Sequence, residues 1–470
     1  MIYGQELGRL LRPFPRQIGL AVSGGVDSMA MAYLTLDYIR SLKDAPKLST
    51  FTIDHCARPR SDEEADKVRG NLISLGFEDC QVLKMDWNAK NSGSRFELDA
   101  RNNRIQLLYE ACRLKDITHL LFAHTLDDQL ETFVMRLIRG SSTNGLAGMH
   151  QVNNSPFLLP PSYPPLTFVR PLMSYTKQQL YDICAENSVP WVEDPSNYDP
   201  VFTVRNTVRD LLSHPGLLPS ALRPENLKST LKKVQKNTLE LEQQTDKVIR
   251  ELINKGLIGV DPKLGLVKLR TFPEYFDYPV SVRSSILFRA VQRVMPYHNP
   301  SYKFSAIDSI VRNHSIKSST FDVANLQIQQ TVNAENTIDY LITRQNPYKD
   351  QLPKITLLID ISASNEWTKW HLFDGRYWFR FKSARPTCIK LTLSDPPGPI
   401  MKQIQGEYFN IKHWPPKKLV KLLPLLLDQN GTPLGYPTLG KYRHNLGHLH
   451  VQYSLKSFPH DPIPDYSFFG

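Results

Sequence analysis

The stretch LAVSGGVDSMAMAYL, residues 20–34, constrains the fold more than any other part of the chain. An apolar segment breaks into Ser-Gly-Gly and then turns at once into a helical pattern with Asp27 and Ser28 near its start. Glycines leave the backbone unhindered, so consecutive N–H groups can point at one anion, and a helix N-terminus adds partial positive charge at the same place. Such a turn suits phosphate oxygens. An ordinary strand-to-helix turn in which Ser23 caps the helix has the same appearance, so the surrounding sequence must decide between them.

From that turn to about residue 140 the chain repeats the strand-then-helix alternation of an α/β protein with an open parallel sheet and flanking helices. KLSTFTID (47–54) is expected to be a strand, and SDEEADKVRGNLISLGF (61–77) a helix with Ser61 and Glu64 as a capping box and Gly76 as its stop. CQVLKM (80–85) is strand-like, and FELDARNNRIQLLYEACRL (96–114) places Leu98, Ile105, Leu108, Tyr109 and Cys112 on one helical face. In THLLFAHTLDDQLETFVMRLIRG (118–140) a strand ends at Ala123, and the next helix turns Leu126, Leu130, Phe133, Val134, Leu137 and Ile138 inward. Open parallel sheets bind ligands beyond the carboxyl ends of their strands. Three such ends are chemically loaded: Ser23 to Ser28, then Asp54 and His55, then His124 with Asp127, Asp128 and Glu131. Taken singly, the acids could complement a helix dipole and His55 could be a turn residue. Convergence of all three on one rim favours a site.

A chain of 470 residues has room for two or three domains. Its formal charge of +11 favours a polyanionic partner such as nucleic acid. The five cysteines are scattered and form no CxxC pair, which argues against a zinc ribbon or a disulfide framework. No membrane span is expected, because the most apolar late run, LVKLLPLLLD (419–428), is short and carries Lys421 and Pro424. Arg9, Arg12 and Arg16 near the start suit either a mitochondrial address or a short capping helix, and Pro13 and Pro15 favour the helix. Past Gly145 a proline-rich stretch leads to a helix at SYTKQQLYDICAEN (174–187). WVEDPSNYDPVFTVRNTVRDLL (191–212) then gathers Glu193, Asp194, Asn197, Arg205, Asn206 and Arg209, and LKSTLKKVQKNTLELEQQTDKVIREL (227–252) is a polar connecting helix. GYPTLGKY (435–442) imitates a Walker A loop, but Tyr442 stands where Ser or Thr should hold magnesium and Pro437 stiffens the turn.

SGGVDS (23–28) resembles the signature of the PP-loop, or N-type, ATP pyrophosphatases. IDHCARPRS (53–61), ARNNRIQLL (100–108), FAHTLDDQLETFVMRLIRGSSTNGLAGM (122–149), RPLMSYTKQQL (170–180) and EDPSNYDPVFTVRNTVR (193–209) resemble, in order, the blocks of the tRNA(Ile)-lysidine synthetase family. FDGRYWFRF (373–381) and LPLLLDQNGTPLGYP (423–437) are more weakly similar to that family's carboxyl-terminal domain. Cys56 departs from a usual glycine and Thr125 from a usual histidine.

The resemblance implies a PP-loop catalytic domain over 1–215, a helical connector and middle domain over 216–345, and a diverged α+β tRNA-binding domain over 346–470. It implies a ligase that adenylates C2 of the wobble cytidine of a CAU-anticodon tRNA(Ile) with ATP and joins free L-lysine there, releasing AMP and pyrophosphate. Ser23, Gly24, Gly25, Val26, Asp27, Ser28, Asp54, His55 and His124 would surround ATP, with Asp27 on Mg2+. Asp27, Asp128 and Glu131 would be catalytic, with Asp128 the base, and Asp127, Asn197, Arg205 and Arg209 would meet lysine or tRNA. A bacterial cytoplasm, a plastid and a mitochondrion would all suit such an enzyme; the diverged second half favours the mitochondrion, with the cytoplasm as the alternative, and the oligomeric state stays open. Two other functions compete: tRNA thiolation, against which the scattered cysteines speak, and a silent RNA-binding relative, against which Asp27, Asp128 and Glu131 speak.

Overall fold

The computed structural model describes residues 2–56, 60–85, 96–155, 158–192, 204–297, 304–313, 317–333, 337–348, 350–364, 366–393, 415–442, 447–456 and 462–465. The chain divides into two compact units, one of residues 1–159 with 163–238, the other of 160–162 with 239–470.

The first unit is built on a six-stranded sheet. Helix α1 (Ile2–Leu10) precedes β1 (Gln17–Ala21), α2 (Val26–Arg40), β2 (Lys47–Asp54), α3 (Ser61–Leu75), β3 (Asp79–Lys84), α4 (Phe96–Leu114), β4 (His119–Phe122) and α5 (Leu126–Ile138). There follow α6 (Thr143–Leu146), β5 (Val152–Asn154), β6 (Thr167–Val169), α7 (Lys177–Glu186), α8 (Val204–Ser213) and α9 (Pro224–Asn254). The strand order is β3-β2-β1-β4-β6-β5, with every pair parallel except β5 against β6. From β1 the chain runs outward through β2 to β3, then returns to the other side of β1 as β4. The order therefore reverses between β1 and β4, and a crevice opens past their carboxyl ends. Ala21 pairs with both Phe51 and Phe122, so the three loaded strand ends lie side by side.

The core follows the sequence pattern. Strand β1 is buried along its centre, and Tyr3 and Leu7 of α1 and Leu11 just beyond it join Ile18, Leu20 and Met29 in one cluster. Ile105, Leu108, Tyr109 and Cys112 of α4 pack with Phe51 and Leu120, whereas the side chain of Leu98 lies outside the described residues. Gly76 ends α3 at φ 101°. The capping box at Ser61 and Glu64 does not form. Arg60 takes the N-cap position, and Ser61 Oγ donates to Asp54 Oδ1 at 2.6 Å, a charged acceptor that attracts the hydroxyl more strongly than a neutral backbone partner. On α5, Leu130 and Phe133 are buried against Leu227 and Leu231, but Leu137 and Ile138 are 42% and 66% exposed. The neighbours supplied by α9 cover only the middle of the expected stripe.

The second unit holds the later part of α9, whose Val248, Ile249 and Leu252 enter its core. It contains β7 (Ile258–Asp261), β8 (Leu266–Arg270), α10 (Val280–Gln292), α11 (Phe304–Arg312), β9 (Ser319–Val323), β10 (Leu326–Val332), β11 (Ile338–Arg344) and β12 (Leu357–Ile361). Beyond them lie β13 (His371–Phe373), β14 (Tyr377–Ser383), β15 (Thr387–Leu393), β16 (Pro424–Asp428), β17 (Pro433–Tyr436), β18 (Lys441–Tyr442) and β19 (Leu449–Leu455). They form three sheets, ordered β7-β8-β11-β10-β9, β12-β15-β16-β17-β18 and β13-β14-β19. Asp374 and Gly375 join β13 to β14 with φ of 50° and 60°, the two left-handed residues of a tight hairpin. The Asp374 carboxylate is buried there between Arg344 and Arg376. The Walker-like GYPTLGKY runs from strand through a 3-10 turn into strand, so it opens no helix onto a phosphate. No described helix is long and apolar enough to cross a membrane.

Candidate active site

The loop after β1 is held open by its own polar groups. Gly24 adopts φ +89°, and a Cβ there would come within 2.3 Å of Val68 Cγ2, so this position requires glycine. Ser28 Oγ accepts the Gly24 N–H at 3.1 Å and donates to the Gly25 carbonyl at 2.9 Å, while Ser23 Oγ donates to Ser28. A second segment ties the loop down through the Val192 N–H to the Gly24 carbonyl. The N-cap of α2 is Gly25, with no side-chain cap. Ser23 therefore does not cap the helix, and the first-turn N–H groups are left for a ligand.

Asp27 stands at the centre. Its Oδ1 is buried without a hydrogen-bond partner. Burial, and then the nearby Asp128 and Asp127, push its pKa up to about 6, although Lys177 and Arg209 pull it down. An orphaned carboxylate oxygen is a hard donor of the kind Mg2+ takes, and Mg2+ commonly combines one or two such oxygens with substrate phosphates and water. Among the described residues no group of three metal-binding side chains occurs. Asp27 fits the ion.

The first turn of α5 brings the acids together. Thr125 caps it, accepting from the Asp128 N–H, while Asp128 Oδ2 accepts the Thr125 N–H at 2.9 Å. Threonine is a good cap and histidine a poor one, which gives a local physical reason for this departure. Asp128 Oδ1 is paired with Arg205, and buried Glu131 binds Arg205 at 2.6 Å and Arg209 at 2.7 Å. Helix α8 thus lays two guanidinium groups over the acid pair. Asp127 accepts the Lys177 N–H at 2.7 Å, joining α5 to the start of α7.

His124 follows β4, with its ring 5.9 Å from that of Phe122 and its Nδ1 3.2 Å from Arg170 Nε. Burial holds its pKa down at about 4; Asp128 opposes this, while Arg170, Arg205 and Arg104 reinforce it. At the end of β2, Asp54 accepts from Cys56 N–H and Ser61, and hydrogen bonding to the Ser61 hydroxyl holds its pKa below the usual value. His55 Nδ1 lies 3.2 Å from Met85 Sδ. Both side chains have structural contacts of their own. Cys56 adopts φ 48°, a left-handed conformation that favours glycine.

The structure therefore brings Asp27, Asp127, Asp128, Glu131, Arg209, Arg205 and His124 into one charged network beside the loop. Asn197 lies outside the described residues. Arg170 and Lys177 were not among the expected site residues. A signal for Lys177 was present: a cation in the first turn of a helix opposes the helix dipole and suggests another role. Arg170 opens the RPLMSYTKQQL block, but its pairing with His124, 46 positions away, has no local signal.

A family model described as a PP-loop domain matches residues 3–214. The tRNA(Ile)-lysidine synthase of Bradyrhizobium sp. (strain BTAi1) is 32% identical over 296 residues, covering 62% of this chain and 79% of that protein. That of Anaplasma marginale is 33% identical over 206 residues, covering 43% of this chain and 41% of that protein. The probable tRNA(Ile)-lysidine synthase of Schizosaccharomyces pombe is 26% identical over 445 residues, covering 90% of this chain and 91% of that protein. With the SGGVDS loop and the acid network at the sheet's switch point, these similarities identify the chain as a member of the tRNA(Ile)-lysidine synthase family, ligase-type enzymes built on a PP-loop ATP pyrophosphatase domain.

Proposed function

We propose that this protein uses ATP to join free L-lysine to C2 of the wobble cytidine in a CAU-anticodon tRNA(Ile). The observation that carries the reading is the uncapped start of α2 beside an unpartnered Asp27 carboxylate oxygen, next to a mixed cluster of two acids and two arginines. Ser23 to Ser28 receive the β- and γ-phosphates through loop N–H groups, with Asp27 holding Mg2+. When bound, Mg2+ offsets the negative charge that builds as pyrophosphate leaves. The fixed N–H donors do the same without rearranging.

In the first step the cytidine C2 oxygen attacks the α-phosphorus, the α–β bond breaks, and pyrophosphate departs. In the second the lysine ε-amine attacks C2, AMP leaves with the former C2 oxygen, and the amine loses a proton. Alternating carboxylates and guanidiniums suit a zwitterion: Asp128 and Glu131 meet ammonium, and Arg205 and Arg209 meet carboxylate. Asp128 serves as base once Arg205 turns to the substrate and releases Oδ1. Recognition of tRNA falls mainly to the second unit. There Arg380 lies 5.0 Å from the ring of Trp367 and 4.8 Å from that of Trp370, and Lys382 follows on the same face of β14, a combination suited to phosphates and unpaired bases.

The test is incubation of the protein with ATP, lysine and a CAU-anticodon tRNA(Ile), followed by nucleoside mass analysis. The expected product is cytidine heavier by one lysine less one water. A sulfur-containing nucleoside would instead establish thiolation.

A further inference from the structure

Arg170 lies just past β6 and is held on several sides. Its Nη1 donates to the His150 carbonyl at 2.8 Å and to the Asn153 side chain, and its own N–H donates to the Gln151 carbonyl at 2.8 Å. Its Nε–H points at His124 Nδ1 at 3.2 Å. A guanidinium has no acceptor and does not deprotonate in proteins, so the imidazole nitrogen facing it must be the one without a proton. The ring of neutral histidine then carries its hydrogen on Nε2. Phe122 packs beside that ring, and β4 neighbours β1, so His124 stands on the same rim as the Ser23 to Ser28 loop.

We propose that Arg170 is a positioning residue: by donating to Nδ1 it fixes His124 as the Nε2–H tautomer and makes it a neutral hydrogen-bond donor to the bound triphosphate, not a base. The identity of that ligand rests on the ATP reading above; the tautomer does not. Among the described residues, Asp128 on α5 favours the charged ring, while Arg170 after β6, Arg205 on α8 and Arg104 on α4 oppose it. Burial disfavours an imidazolium first and the arginines add to it, in line with the same assignment.

The experiment is nitrogen NMR of full-length protein labelled at histidine, with His124 assigned by the signals lost in His124→Gln. At pH 7 the wild type should show Nε2–H and a bare Nδ1. Arg170→Leu should lose that preference and titrate at higher pH, because a cation has been removed, whereas Arg170→Lys should restore part of it. For ATP binding, His124→Gln keeps an N–H donor near the Nε2 position and should bind better than His124→Asn, with roughly ten- to a hundredfold lost in the latter. An Nδ1–H or cationic ring in the wild type overturns the proposal. So does an Arg170→Leu protein of native circular dichroism with unchanged His124 signals, or equal ATP affinity in the two His124 variants. If Arg170→Leu does not fold, the wild-type spectrum and the His124 pair decide. The tautomer is read without tRNA, so absence of lysidine formation with the tautomer intact counts against the assigned reaction alone.

Discussion

Replacing Asp27 by Asn should make the ligand-free protein more stable while removing its activity. The Asp27 pKa is raised from 3.8 to about 6, chiefly by burial. Between these values the folded state keeps a proton that the unfolded chain gives up, so the group's contribution to stability falls as pH rises through that window. A shift of about two units corresponds to about 3 kcal/mol at neutral pH, reduced to about 1–3 kcal/mol by the residue's partial exposure. Asn has nearly the same shape and no charge. At pH 7.5 the transition of the first unit should therefore rise by roughly 2–12 °C, since 1 kcal/mol is worth about 2–4 °C in a unit of this size. Below about pH 4 the gain should vanish, because wild-type Asp27 is then protonated in both states. Scanning calorimetry at the two pH values reads the stability, and release of AMP reads the chemistry, which should drop by about a hundredfold or more. A variant that melts at or below the wild-type temperature at pH 7.5 would show that the buried Asp27 charge does not destabilise the fold, and one that releases AMP at the wild-type rate would show that Asp27 is not needed for the chemistry.

Gly24→Ala places a Cβ against Val68 in a left-handed turn, and should weaken ATP binding measured by calorimetry while leaving α-helical content unchanged. Glu131→Gln leaves Arg205 and Arg209 partly uncompensated, and should cost about 3–5 kcal/mol in denaturant unfolding. Cys56→Gly relieves a left-handed cysteine, should add about 1 kcal/mol of stability, and should keep nucleoside modification; its loss would favour a sulfur-transfer role.

The first unit was legible because its signals are local. Strand and helix periods, Gly76 and the SGGVDS turn all act within a few residues, and the element bounds agree with them to within about a turn. The Ser61 capping box failed where a distant acceptor, Asp54, competed for the hydroxyl. Exposure of Leu137 and Ile138 depends on where α9 crosses α5, which the period of α5 alone does not contain. In the site, the acids could be read from HTLDDQLE. Their pairing with Arg205 and Arg209, and that of His124 with Arg170, joins residues 46 to 78 positions apart, beyond the reach of any local pattern. The second unit was least legible, because its antiparallel strands are short and give weak periodic signals.

On the proposed reading, the Ser23 to Ser28 loop directs cleavage between the α and β phosphates of ATP. The most direct measurement tracks α-labelled and γ-labelled ATP in parallel, with and without CAU-anticodon tRNA(Ile) and lysine. Labelled AMP should appear from the first and labelled pyrophosphate from the second, both dependent on the tRNA. Labelled ADP and inorganic phosphate would contradict it.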